Sequence, residues 1–236
     1  MRVVELWRFP VKSLGGERLD RVDVETDGLL GDRRFALFDT ATGIGLTARR
    51  VPELLFASAR VVDGGVEITR PDGSVARDDD ALSSWLARRV ELRDASFAGT
   101  RTFEWPTDID TEAEESWQRW NAARGAFHDS PRRRVSLLSR ATIGDWNPRR
   151  FRANVLLDGD GEDALVGTQI TIGSTRLDVV TPIDRCVMVA RPQPGGIERD
   201  LDVLKTINRE RAGNLAIGAV VLEPGSIAVG DDVTPL

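Results

Sequence analysis

At 236 residues, with 41% hydrophobic and 30% charged side chains, the chain can bury a real core as one large domain or two small ones. A net charge of −6 argues against a general nucleic-acid or anionic-membrane binder. The single cysteine excludes an internal disulfide and any Cys-cluster zinc or iron–sulfur site, and the single histidine leaves too few ligands for a histidine-rich metal centre.

Short alternating segments punctuated by Gly, Asp and Pro begin at the first residues. Val3 to Arg8, Arg21 to Glu25 and Phe35 to Phe38 read as strands. Leu55 to Val62 and Val66 to Thr69 form a predicted hairpin around Asp63-Gly64-Gly65, and Asp72-Gly73 marks a second turn. After Asp80, the residues Leu82, Trp85, Leu86 and Arg89 fit an amphipathic helix with an acidic start. Residues 95 to 125 are polar and suit a linker or insertion, with a predicted helix over Glu112 to Trp120. That helix would place Trp117 and Trp120 on one face. Strand patterns return at Val135 to Leu138, Ala153 to Leu157, Gln169 to Ile172, Arg176 to Val180, Leu215 to Leu222 and Ile227 to Val233. Leu201 to Arg211 reads as a helix with Leu201, Leu204 and Ile207 at core spacing. Many strands, few helices and no strand–helix alternation predict barrels or sandwiches, not a parallel α/β sheet.

The usual nucleotide and hydrolase signatures are missing. No Gly-x-Gly-x-x-Gly opens a helix after a strand, and there is neither a P-loop nor a Gly-x-Ser-x-Gly elbow. His128-Asp129 is adjacency, not the geometry of a relay. The run Asp158 to Asp163 lacks calcium-loop spacing and reads as a solvated turn.

The positive signals are cations beside turns. Phe9-Pro10-Val11-Lys12-Ser13 ends the first strand with an ammonium and a hydroxyl. Gly31-Asp32-Arg33-Arg34 follows a glycine turn, Thr47-Ala48-Arg49-Arg50 repeats the theme, and Phe151-Arg152-Ala153-Asn154 adds another guanidinium and an amide. Any one of these is ordinarily a surface or capping residue. Four such clusters make a shared anionic pocket the reading, because Arg and Lys matched with backbone donors suit phosphate or carboxylate. Cys186 then stands after Thr181-Pro182-Ile183-Asp184-Arg185. A lone cysteine is ordinarily a small buried hydrophobe. Here a proline break places it at a loop mouth, and the charge of Arg185 favours the thiolate, the nucleophilic and soft-metal-binding form.

Taken in order, Pro10-Val11-Lys12-Ser13, Gly31-Asp32-Arg33, Thr47-Ala48-Arg49, Phe151-Arg152-Ala153-Asn154, Arg185-Cys186 and the closing Leu222 to Asp231 resemble the MOSC family. That family is named for the C-terminal domain of molybdenum-cofactor sulfurase. The resemblance is nearest to the mitochondrial amidoxime-reducing component and its bacterial relatives. It implies a mainly β (α+β) fold, with an N-terminal β-barrel domain over residues 1–95, a linker or insertion over 96–125, and a MOSC β-barrel domain over 126–236. It also implies a molybdenum cofactor (Mo-molybdopterin) with Cys186 as the metal ligand and Arg185 beside it in the catalytic centre. Lys12, Ser13, Arg33, Thr47, Arg49, Ser139, Arg152 and Asn154 fall where relatives contact the cofactor. The implied activity is reduction of N-hydroxylated compounds with electrons from a separate donor protein. The alternative is a carrier of the cofactor or of sulfur that turns over no organic substrate. After Cys186 the chain departs from the eukaryotic pattern, reading Val187-Met188-Val189-Ala190-Arg191-Pro192, and the basic segment His128 to Arg134 also differs. No apolar run approaches about eighteen residues and the first residues lack a secretory pattern, so a cytoplasmic protein without a membrane span is expected.

Overall fold

The structure is a computed structural model and describes residues 1–107, 116–122 and 124–236. It is mainly β with a few short helices. The chain divides into two compact units. The first gathers Met1–Arg8, Arg18–Leu30 and Ser130–Leu236, and the second gathers Phe9–Glu17 and Gly31–Asp129.

The first unit is built on an eight-stranded sheet. Its order is Val233–Pro235, Gln169–Ile172, Thr175–Asp184, Asn214–Glu223, Val135–Ser139, Val155–Leu157, Val3–Arg8 and Glu17–Leu19. Val135–Ser139 runs parallel to Val155–Leu157, whereas its other neighbour, Asn214–Glu223, is antiparallel. The sheet curls until Val233–Pro235, at one end, meets the start of Val3–Arg8, the next-to-last strand at the other. Arg2 bridges Asp232, the Val3 N–H donates to the Asp231 carbonyl at 2.9 Å, and the Val233 N–H donates to the Met1 carbonyl at 2.8 Å. Closure removes the exposed edge that an open sheet would present.

Side-chain alternation divides this unit's core. Val135, Leu137, Val155 and Leu157 join Val3, Leu6, Ile170 and Leu177 inside the barrel. Leu138 and Leu156, one residue out of phase, face a second cluster with Phe151, Ile183, Val189, Val203 and Ile207. The helix Leu201–Arg211 covers that second cluster. The Asp200 carboxylate accepts the Asp202 N–H at 3.0 Å to start it, and left-handed Ala212 (φ 49°) ends it. Ile207 is buried and Leu204 packs beside it as expected, but Val203 takes the place of Leu201, which is 43% exposed.

The second unit pairs Phe35–Asp39 with Val90–Asp94, and Ser58–Val62 with Gly65–Thr69, the predicted hairpin. Its helix, Asp79–Leu86, starts where the Asp78 carboxylate accepts the Ala81 N–H. The stretch read as a linker contributes an antiparallel pair, Thr102–Pro106 with Trp117–Asn121. The expected helix is therefore corrected over Trp117–Trp120, where the chain is a strand; residues 112–115 lie outside the described residues. A spacing of three is odd in a period-two strand, so Trp117 and Trp120 point to opposite faces. Trp120 stacks on Phe103 at 5.5 Å, and Phe103 packs with Phe38 and Phe127 as the unit's aromatic core. A Cβ on Gly45 would collide with the Phe103 ring, so glycine there lets the backbone approach it.

Two further expectations are corrected. Pro182 does not end its strand, which continues to Asp184; register shifts on both sides of it let the sheet absorb the missing N–H. The acidic run is not wholly solvated, because Glu162 is fully buried and accepts the Ser139 and Thr142 hydroxyls.

Candidate functional site

The residues singled out by sequence fall into two groups, one in each unit, and each is described within its own unit. In the second unit a short ladder sets the cations. The Arg33 N–H donates to the Phe9 carbonyl at 2.7 Å, the Phe35 N–H to Pro10 at 2.9 Å, and the Lys12 N–H to Phe35 at 2.8 Å. Lys12 and Arg33 are thereby placed by adjacent backbone, and Ser13 and Arg33 both take left-handed conformations (φ 72° and 50°). For side chains with a Cβ that conformation costs free energy and clusters at functional sites.

Lys12 is 6% exposed, and its ammonium is committed. It pairs with the Asp129 carboxylate, donates to the Phe127 carbonyl at 3.3 Å and lies 5.1 Å from the Phe103 ring centroid. Partial desolvation works to raise the pKa of the Asp129 carboxyl, but the charge and hydrogen bond of Lys12, with Arg33 and His128, outweigh it and bring it down to about 2. A carboxyl depressed on folding adds stability above its ordinary value of 3.8, and that contribution is lost as pH falls towards about 2. The stability difference between the protein and Asp129→Asn is therefore expected to shrink across that acid window and be flat near neutrality, as acid titration of urea unfolding would read. Because the Asp129 side chain is 78% exposed, water screens the effect.

Arg33 pairs with Asp32, whose side chain is wholly buried and whose second oxygen accepts the Phe9 N–H at 2.7 Å. The guanidinium also lies 5.3 Å from the Phe9 ring centroid. Arg33→Ala is thus a structural lesion as well as a loss of charge. Stripping a partner from a buried carboxylate costs about 1–3 kcal/mol, so a lowered denaturation midpoint is expected, and an unchanged one would refute the pairing.

The Ser13 hydroxyl accepts the Ala48 N–H at 3.0 Å, which ties it to the Thr47–Arg49 segment. There the Thr47 Oγ1 is buried with no hydrogen-bond partner, and Arg49 has no hydrogen bond or ion pair among the described residues. These are unused binding groups, in contrast to Lys12 and Arg33. The neighbouring Arg50 is engaged, 4.0 Å from the Trp117 ring centroid and paired with Glu104.

In the first unit Cys186 is half-buried and begins the short 3-10 turn Val187–Ala190, with the Val189 N–H donating to its carbonyl at 3.2 Å. Arg185 directs its guanidinium at backbone: Nε donates to the Leu215 carbonyl at 2.6 Å and Nη1 to Phe151 at 3.0 Å. The structure thereby joins the Arg185–Cys186 pair to the Phe151–Asn154 segment. Arg152 follows Phe151 in a left-handed conformation (φ 52°) that caps the turn Pro148–Phe151. Asn154 is 1% exposed and internally satisfied. Its Oδ1 accepts the Ser136 N–H and hydroxyl at 3.2 and 2.8 Å, and its Nδ2 donates to Trp7 at 3.2 Å. Ser139 is fully buried against Glu162. The basic segment is partly neutralised, with Arg133 paired to Asp184 and Arg134 to Asp27.

Sequence reasoning missed Arg150, Asp32 and Asp129. Arg150 is 9% exposed and donates to the carbonyls of Val189 at 3.1 Å and Glu198 at 2.8 Å. Backbone carbonyls leave no trace in residue identity, so this role had no sequence signal. Asp32 stands beside Arg33, and that adjacency was the available clue; Asp129 has no such neighbour, because its partner Lys12 lies 117 residues away in the chain.

Two family models match the chain. The model of the MOSC N-terminal beta barrel domain matches residues 1–118, and that of the MOSC domain matches residues 113–234. The chain belongs to the MOSC family. It is 25% identical over 252 residues to a molybdenum cofactor sulfurase of Drosophila mojavensis and 24% identical over 249 residues to that of Drosophila ananassae. Each match covers 93% of this chain and 32% of the relative, so the chain spans about a third of the length of those proteins. Among solved structures it is similar to the YUAD protein from Bacillus subtilis, with 14% identity, a TM-score of 0.48, and coverage of 98% of this chain and 93% of that one. Among the described residues no helix is long and apolar enough to cross a membrane.

Proposed function

We propose that this protein is a molybdenum-cofactor oxidoreductase that reduces N-hydroxylated compounds, with Cys186 as the protein ligand of the metal. The observation that carries the reading is Cys186 itself. It is the only thiol in the chain, it stays half-exposed, and arginine hydrogen bonds pin the backbone around it. A thiolate is the soft donor such a metal takes.

The donor set fits an anionic organic cofactor. In the second unit, Arg49 and the Thr47 hydroxyl are unengaged among the described residues and would contact phosphate or pterin, with Ser13 anchoring their segment. Lys12 and Arg33 would contribute positive potential through pairs they already make. In the first unit, Arg152 would be a contact. Asn154 and Ser139, whose polar atoms are taken up within the fold, would hold the surrounding strands in place. When bound, the cofactor supplies the two-electron chemistry by which an N–OH group gains two electrons and two protons, leaving an N–H group and water. Within its own unit the protein holds the backbone of the ligand thiol fixed, and electrons come from a separate donor protein.

A second reading is favoured by the names of the curated relatives: a carrier of the cofactor, or of sulfur on Cys186, with no organic substrate. One experiment separates the two. Protein from a cofactor-competent host is analysed for molybdenum and pterin, and benzamidoxime reduction is measured with an artificial electron donor. Metal, pterin and turnover together are the expected result. Metal or pterin without turnover selects the cofactor carrier, and a folded protein with neither overturns the oxidoreductase and the cofactor carrier alike.

A further inference from the structure

Two arginines reach across the same gap in opposite directions. Arg150, in the turn Pro148–Phe151, donates Nη1 to Val189 at 3.1 Å and Nη2 to Glu198 at 2.8 Å, so it holds both ends of the segment after Cys186. Its contact to Arg191 at 3.5 Å lies between them. Arg185, one residue before Cys186, returns the bond from the other side, with Nη1 on the Phe151 carbonyl at 3.0 Å, Nε on Leu215 at 2.6 Å and its own N–H on Gly213 at 2.8 Å. The segment also closes on itself. Gln193 N–H bonds to Ile197 at 2.9 Å and Asp200 N–H to Ala190 at 2.9 Å.

We propose that Arg150 and Arg185 form a reciprocal clasp that fixes the backbone of Cys186 and the shape of residues 187–200, making both of them positioning residues. The physical case rests on what a guanidinium can do. Its planar, fixed fork spans several carbonyls at once, whereas a lysine ammonium is a single flexible point of charge. Arg150 is also nearly inaccessible, so its hydrogen bonds are shielded from competing water. Besides its charge, Arg185 gives bonds to two main-chain carbonyls, which adds a role in geometry. Residues 187–192, where the sequence departs from the eukaryotic pattern, thus lie in a shaped element, and its shape depends on a residue outside it.

The inference rests on the reading of Cys186 as the metal-holding thiol, so its test is made on the full-length, metal-free chain. Because the chain has one cysteine, the mass gained on iodoacetamide alkylation reports that site alone. Arg150→Met is expected to raise the alkylation rate about tenfold through local opening, and Arg150→Lys to give a smaller rise, while amide exchange in Val135–Ser139 stays at the parent rate. Rates within about twofold of the parent in a folded Arg150→Met would overturn the clasp. Should that variant fail to fold, Arg150→Lys decides: a rise in alkylation rate of more than about twofold supports the clasp, and a rate within about twofold of the parent overturns it. A failed molybdenum assay leaves these outcomes intact, and an unclasped segment leaves the cofactor reading intact, so the two stand or fall separately.

Discussion

Phe103→Ala is expected to destabilise the protein by about 3–5 kcal/mol, the range for removing a large aromatic from a packed core. Phe103 is fully buried and packs against Phe38, Trp120 and Phe127, with ring centroids 5.4 to 5.9 Å away. Its loss opens a cavity that those stiff rings cannot readily fill, and it removes one of the two aromatic faces near the buried Lys12 ammonium. Equilibrium urea unfolding measures the change. A cost under about 1 kcal/mol, typical of an exposed position, would mean that this hairpin is as peripheral as its polar sequence suggests.

Cys186→Ser has a different signature: function lost with stability kept. The side chain is half-buried and the swap is nearly isosteric, so the unfolding free energy should move by no more than about 0.5 kcal/mol. Turnover of benzamidoxime should fall by at least about 100-fold, beyond the roughly 10–100-fold that follows loss of an outer partner of a metal ligand. A hydroxyl does not replace thiolate for a soft metal. Turnover at the parent level in Cys186→Ser, with molybdenum present, would remove the sulfur from the mechanism. Parallel loss of stability would instead mark the residue as core.

Features written locally in the chain were legible. The helix Leu201–Arg211 carries its Asp200 cap beside it, and the hairpin Ser58–Thr69 carries its own glycine turn. The family's ordered pieces were also local, and the cations they contain lie where backbone turns place them. What failed depended on distant partners. Trp117 and Trp120 fit a helix by spacing alone, and only pairing with Thr102–Pro106 makes them a strand. Pro182 looks like a stop until the bulges around it are seen. Ile227 to Val233 reads as one strand, but the structure ends the first at Ala228 and starts the next at Val233, with left-handed Gly230 between. For the candidate site, residue type announced charge but not availability. Arg33 and Lys12 are engaged by Asp32 and Asp129, whereas Arg49 is not engaged among the described residues.

The sheet's closure has a temporal side. Val3 pairs with Leu157, and Arg2 meets Asp232, so the strand Val3–Arg8 waits for partners encoded far downstream. At ribosomal speeds of roughly 5–20 residues per second, Leu157 follows Val3 by on the order of 10–30 s. During translation Val3, Leu6 and their neighbours must stay unaggregated without the face that later covers them. Such long sequence separations favour slow folding.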